Sequence, residues 1–468
     1  LNSSTVGFDL KIVRRIFDVS IPLMGSMVGN LIMMLVDRIC LARYSSDALT
    51  ASGPAIYTAM AIIGVFVSIV GFSRSFVAQA FGRSGQGEAA YQGAVGISIG
   101  IALALALLLM APLLQLIPFL SDRPPQITRL ESQFLYWSAY FGSVMTLNVA
   151  LSSYFNGIGK TRITLIVGLI GQAVVIFMTI GLVFGKFGLP ELGMRGSAIG
   201  TLVGTMVMFF CYFFYMPREV WSNLRSLMLK SRGFVLADMF PRIRKSVALG
   251  ACNGVENFGS VAFIWIIGAL GAIPLAANNV NIAVANIAII PIIGLAIGCS
   301  VLCANAIGDD DYPQIPRILF VTMAIELSYV AVISFFQIAM PNVLLNPFGL
   351  ADHPEIHRAA IATSRVLWIY SLAFALSITG AAVLEGFGLT RFLFATRLII
   401  MWAISIPTVY AMATAHTGNA DFLPKCWVAG SLFEAAIGVL YFWRIWLAVR
   451  KRQNGIVLAH IQRVEESG

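Results

Sequence analysis

Residues 48–82, ALTASGPAIYTAMAIIGVFVSIVGFSRSFVAQAFG, and residues 274–308, PLAANNVNIAVANIAIIPIIGLAIGCSVLCANAIG, can be laid on one another without a gap. Small residues keep step along both, and each closes on A-x-G, Ala80 with Gly82 and Ala306 with Gly308. Farther along, NGIGKTR at 156–162 answers EGFGLTR at 385–391, sharing G-x-G-x-T-R just after an apolar run. The two matches fall at nearly equal offsets, so the chain reads as one build used twice.

Each copied segment is apolar for longer than the roughly 20 residues a helix needs to cross a bilayer. Runs of that kind recur near 13–42, 48–81, 89–117, 128–155, 162–185 and 194–216, then 243–269, 274–307, 315–341, 358–385, 392–413 and 425–449. Barrel strands would be about ten residues long and strictly alternating, a pattern the chain lacks. The expected fold is therefore an all-α integral membrane protein, twelve transmembrane helices in two pseudo-symmetric six-helix bundles.

Composition agrees. Of 468 residues 58% are hydrophobic and 11% charged, against about 25% charged in an ordinary soluble domain, and mean hydropathy is +0.85. This excludes a soluble enzyme, a nucleic-acid-binding module and a disordered scaffold. The net charge of +9 is a topology signal rather than a binding stripe. Lys11, Arg14 and Arg15 precede the first run, and Arg444, Arg450, Lys451 and Arg452 close the last. Between the sixth and seventh runs, Arg218, Arg225, Lys230, Arg232, Arg242, Arg244 and Lys245 face only Glu219 and Asp238. An even number of spans per half puts these regions on one side, the cytoplasm by the positive-inside rule. The expected division is an N-terminal lobe at 1–217, a cytoplasmic linker at 218–242, a C-terminal lobe at 243–450 and a cytoplasmic tail at 451–468. The start, LNSSTVGFDLKIVRR, is polar and basic, so a cleavable signal peptide is not expected.

Two six-helix repeats in the same orientation suit a transporter whose lobes rock about a central cavity. Metal and disulfide chemistry are not indicated. The cysteines at 40, 211, 252, 299, 303 and 426 are scattered singly, mostly in apolar runs. Asp309, Asp310 and Asp311 read as a solvated loop. The histidines, at 353, 357, 416 and 460, lie in loops or tails, and an enzyme is not expected.

An ionisable group inside a span costs at least about 2.5–3.5 kcal/mol, so each one is a candidate for function. Asp37, in LIMMLVDRICLA, lies a few residues before the outer end of the first span, and Arg38 projects about 100° away around the helix. Glu256 lies eleven residues beyond Lys245, roughly 16 Å along a helix and so near mid-membrane. Glu326, Arg365, Arg397 and Glu434 are further candidates in the ninth to twelfth spans, either lining a cation path or pairing internally, Arg365 being one possible partner. Asn278 and Asn281 share a face of the eighth span, suited to lining a cavity or to interhelical hydrogen bonds. Gln172 and Thr179 are polar positions of the fifth.

The stretches IPLMGSMVGNLIMMLVDRICLARYSSDALTASGPA (21–55), GFSRSFVAQAFGRSG (71–85), FNGIGKTR (155–162), LGMRGSAIGT (192–201) and LEGFGLTR (384–391) resemble the multidrug and toxic compound extrusion (MATE) transporters. Their superfamily also contains lipid-linked oligosaccharide flippases, and the likeness of layout spans about residues 12–450. The resemblance implies an antiporter of the plasma (inner) membrane that expels organic, often cationic or amphiphilic compounds against inward sodium ions or protons. It implies no cofactor beyond the transported ion and no partners beyond substrate and membrane lipids, and we expect a monomer. It maps the coupling acid of the first lobe onto Asp37, the glutamate of sodium-type members onto Glu256, and a sixth-helix threonine onto Thr201. Gln172, Asn278 and Asn281 are the expected cavity residues. Two departures stand out: the tenth span, around SLAFALSITGAA, has no carboxylate, and the fifth lacks the Asn/Asp pair of some members. The ion is thus left open between Na+ and H+. The alternative function is a lipid-precursor flippase or an exporter of one metabolite. Flippases of this group, with about fourteen spans and more basic cavities, fit less well.

Overall fold

The computed structural model describes residues 10–120, 124–229, 232–268, 270–348 and 354–466. Lys230 and His353 lie outside the described residues, as do the side chains of Arg232, Asp238 and His460. Twelve long helical elements follow one another: α1 (Leu10–Tyr44), α2 (Ser46–Gly71, resuming at Ser73–Ser84), α3 (Gln86–Leu109), α4 (Pro125–Gly157), α5 (Thr161–Phe184) and α6 (Met194–Tyr215). The second set is α7 (Arg232–Gly268), α8 (Ala272–Gly308), α9 (Gln314–Ala339), α10 (Leu367–Gly386, preceded by a short helix Pro354–Ser364), α11 (Thr390–Ala415) and α12 (Leu423–Glu466). A short helix and a 3-10 turn follow both α3 and α9, at matching places in the two sets.

Eleven of these elements are long and apolar enough to cross a membrane. The exception, α4, runs 33 residues but carries many polar side chains, which are spent inside the protein. Ser143 donates to the Ala104 carbonyl of α3 at 2.9 Å and Asn148 to the Thr205 carbonyl of α6 at 2.8 Å. Serine also closes hydrogen bonds with its own helix, as Ser138 does to Leu135. With no water to satisfy backbone or side chain, such bonds are what let a polar helix sit at membrane depth.

The chain forms two compact units, Pro22–Gly254 on the one hand and Leu1–Ile21 with Val255–Gly468 on the other. Both cuts fall inside helices rather than at the linker. The first comes at Pro22 of α1, where a proline removes one ladder hydrogen bond and crowds the preceding turn. The second follows Gly254 of α7, beside Gly250. Residues 10–21 thus pack with α8, where Gly298 makes room for the Ser20 hydroxyl. Residues 218–242 are largely helical: Arg218–Leu229 is an amphipathic helix whose Val220, Leu224 and Leu227 are buried in the first unit, while Arg218 and Arg225 are exposed.

In the first unit α5 and α6 meet backbone to backbone. Gly196, Gly200 and Gly204 recur every fourth residue, so they line one face of α6. A methyl group added at Gly200 would lie 2.9 Å from the Thr179 nitrogen, and one at Gly204 would lie 2.8 Å from the Gly171 oxygen. In the second unit α12 approaches α10 in the same way, Gly438 leaving a methyl group only 3.0 Å from the Ser377 nitrogen. These close approaches fix which neighbouring residues look at which helix, and so build the sites below.

Candidate functional site

Ser197 follows Gly196 by one position and is therefore turned about 100° from the α5-facing stripe. That rotation aims it at α1. Its hydroxyl, wholly buried, donates a hydrogen bond to Oδ1 of Asp37, which is itself half-buried. Among the described residues no lysine or arginine pairs with Asp37. Arg38 is turned away, its guanidinium 5.8 Å over the Tyr57 ring. Thr201, one turn along α6, does not touch the carboxylate; its hydroxyl bonds to the Ser197 carbonyl at 3.0 Å. The α6 residue that meets Asp37 is thus Ser197. It lies four residues before the threonine singled out in the sequence, hence on the same helix face, and that spacing was the available signal. Gln172 belongs elsewhere. It donates to the Ser26 carbonyl of α1 at 3.0 Å, and Ser26 is eleven residues, or roughly 16 Å of helix, from Asp37.

The second unit gathers three ionisable groups. Arg397 of α11, its side chain 3% exposed, reaches both oxygens of Glu434 of α12 at 2.7 Å through Nη1 and Oε2 of Glu256 of α7 at 3.1 Å through Nη2. Ser377 of α10 donates to Glu434 as well. Four helices therefore converge on one guanidinium. Arginine suits this place because its planar fork offers several donors and stays charged. With both acids ionised, two negative charges face one positive, leaving one for a proton or a bound cation to balance. Glu256 is the more accessible acid, 28% exposed against 14% for Glu434.

The expectation that Arg365 pairs within the second lobe is corrected by this geometry. Arg365 is exposed, in the break between helix Pro354–Ser364 and α10, and Glu434 takes Arg397 instead. Nor is Glu326 in this cluster; it is fully buried against Thr379. Asn278 and Asn281 are likewise without exposed surface. Asn278 accepts from the Trp427 indole at 2.9 Å, and Asn281 donates to the carbonyls of Ala277 and Ala360 at 3.0 and 3.3 Å. Their bonds tie α8 to α12 and to helix Pro354–Ser364. Among the described residues no group of His, Cys, Asp and Glu is arranged to hold a metal ion.

Directly after Arg397, α11 loosens into a π-helix over Leu398–Ser405. Pro407, two residues beyond, has no N–H to keep the α ladder, and the widened turn lets the Trp402 indole donate to the Val255 carbonyl of α7 at 3.0 Å. An apolar groove of about 730 Å³ runs between α7 and α11, with Phe258, Trp265, Trp402 and Tyr410 on its walls. π-Helical turns are common at functional sites, and this one stands between the charged cluster and an aromatic groove.

The sequence profile of the family described as MatE matches residues 22–180 and 250–411, one stretch in each half. Among curated proteins, the probable multidrug resistance protein NorM of Aromatoleum aromaticum is 22% identical over 455 residues, covering 95% of this chain and 96% of its own length. The multidrug resistance protein MdtK of Proteus mirabilis is 23% identical over 325 residues, 67% of this chain and 68% of its own. Among solved structures, an outward-facing multidrug resistance MATE family transporter of the MOP superfamily superposes with a TM-score of 0.83 at 14% identity, over 94% of this chain and 96% of that one. A MOP superfamily transporter from Pyrococcus furiosus gives 0.81 at 14% identity, with the same coverage.

Proposed function

This chain belongs to the MatE family of membrane transporters, and we propose that it is a cation-coupled antiporter exporting organic, cationic or amphiphilic compounds by alternating access. It is a multi-pass transporter rather than an enzyme. The names of the relatives, multidrug resistance proteins, support a broad substrate range.

The observation that carries the coupling mechanism is Asp37. A carboxylate at membrane depth needs a counter-charge or a proton, and this one has a single hydroxyl donor and no paired cation among the described residues. Something mobile must neutralise it. A sodium ion or a proton that binds there when the site faces outside and leaves when it faces inside converts a gradient into work on the substrate. Glu256 and Glu434 differ in being held by Arg397, so they serve the cycle less directly. The basic linker and chain ends support a plasma (inner) membrane protein with both termini cytoplasmic.

Transport into inverted vesicles, with sodium and proton gradients imposed separately, tests this. Uptake of a fluorescent organic cation under one gradient, lost in Asp37→Asn, is the expected result. Normal uptake by Asp37→Asn under both gradients overturns the assignment and moves coupling to the second lobe.

A further inference from the structure

The buried face of α9 carries Thr322, Glu326 and Gln337, none with exposed surface. The elements packed on it are α8, α10 and the short helix Pro341–Leu345, which has no titratable side chain. From α8 the thiols of Cys299 and Cys303, 3.9 Å apart, are its titratable neighbours. Glu385, six residues past Thr379 on α10, has partners of its own. Among the described residues no lysine, arginine or histidine pairs with Glu326.

Its carboxyl group meets one hydroxyl. Thr379 Oγ1 of α10 stands 2.8 Å from Oε1 and 3.0 Å from Oε2. A hydroxyl owns a single hydrogen and two lone pairs. An ionised carboxylate receives that hydrogen on one oxygen and turns its other oxygen, dry and negative, toward the lone pairs of the same Oγ1. A carboxylic acid uses both contacts: Thr379 donates to one oxygen, and the acid's own O–H donates back to Oγ1. The second arrangement leaves no buried charge.

The repeat shows that a crossing of this kind can close without a carboxyl. Carried eighteen residues past both segments, the register of 48–82 on 274–308 sets Gly100 against Glu326, and the G-x-G-x-T-R match, carried back, sets Ala150 against Thr379. These two also touch: a methyl group on Gly100 would lie 2.7 Å from the Ala150 Cβ. The same helix crossing is thus closed by glycine and alanine in one half and by an acid and a hydroxyl in the other.

We propose that Glu326 is a second proton-binding site of the transporter, a carboxylic acid sealed against Thr379 in this conformation. When the α9–α10 crossing opens, its O–H bond breaks, the electron pair stays on the carboxylate and the proton passes to an admitted water. This rests on the ion-coupled export argued above, but the site is separate from Asp37.

Infrared difference spectroscopy of the full-length protein in lipid nanodiscs, titrated over the pH range in which it stays folded, tests the proposal. One protonated-carboxyl stretch present at neutral pH should vanish in Glu326→Gln, persist in Asp37→Asn, and disappear on titration to alkaline pH in the wild type. Thr379→Val should move the same band to higher frequency and shift its titration midpoint; this variant carries the test if Glu326→Gln does not fold. A spectrum with no band assignable to Glu326, or a band that never titrates, overturns the proposal. Failure of the Asp37 assignment would appear instead as normal gradient-driven export by Asp37→Asn, with the Glu326 band unaffected.

Discussion

The two halves treat their membrane-embedded acids differently. In the first, Asp37 is half-buried, accepts from one serine and forms no ion pair among the described residues. In the second, Glu256 and Glu434 close on Arg397, with Ser377 completing the shell of Glu434. A duplicated scaffold thus supports, in the first half, an acid whose counter-charge must come from solution and, in the second, two acids that share one built-in positive charge. A fixed arginine cannot be exchanged, so it can stabilise helix positions but cannot carry a gradient's energy.

That contrast can be broken most directly at Asp37. Asp37→Asn removes the exchangeable charge while keeping the hydrogen bond to Ser197, so gradient-driven export should fall to background while binding of an organic cation, read by fluorescence quenching, persists. Next in size, Arg397→Met strands two carboxylates, and breaking a buried ion pair costs about 3–5 kcal/mol. Most of this variant should be lost from the membrane or melt far lower, and the double variant with Glu434→Gln should recover part of the loss. Equal melting of the single and double variants would show that Glu434 does not depend on the arginine.

Smaller effects sharpen the comparison. Glu256→Gln removes the partly exposed arm of the cluster, worth about 0.5–1 kcal/mol by analogy with accessible ion pairs. Export should slow only two- to fivefold by that estimate, since each 1.4 kcal/mol is about a factor of ten. A larger loss confined to sodium gradients would make Glu256 an ion ligand. Trp427→Phe leaves the Asn278 carbonyl without its donor, costing about 1–3 kcal/mol for a buried group. Here the melting temperature should drop with the range of exported compounds unchanged; an altered range would place Asn278 at the substrate instead.

The spans were legible because crossing a membrane imposes a length and a hydropathy that few other constraints imitate, and the repeat because its small residues sit where helices touch. The pairing of acids was not. Glu434 and Arg397 are 37 residues apart, and which of several arginines meets an acid depends on depth and on rotation about each helix axis, neither of which an apolar run records. Arg365 looked as well placed as Arg397 until the break before α10 put it at the protein's surface. Ser197 was overlooked for a different reason: a serine among glycines reads as a packing residue. It also packs, but its hydroxyl holds Asp37, which pairs with no lysine or arginine among the described residues.

The π-helical stretch of α11 bears on ancestry. Measured from the shared Thr-Arg, α5 spans 24 residues of unbroken α-helix, whereas α11 spans 26 and is π-helical over Leu398–Ser405. A wide turn is how a helix absorbs an extra residue without rotating everything beyond it, so the two halves read as siblings that differ in winding at this point. The difference falls just past Arg397, and there the two copies of a common segment part company: one is a plain strut, the other a loosened turn between its charged cluster and an aromatic wall.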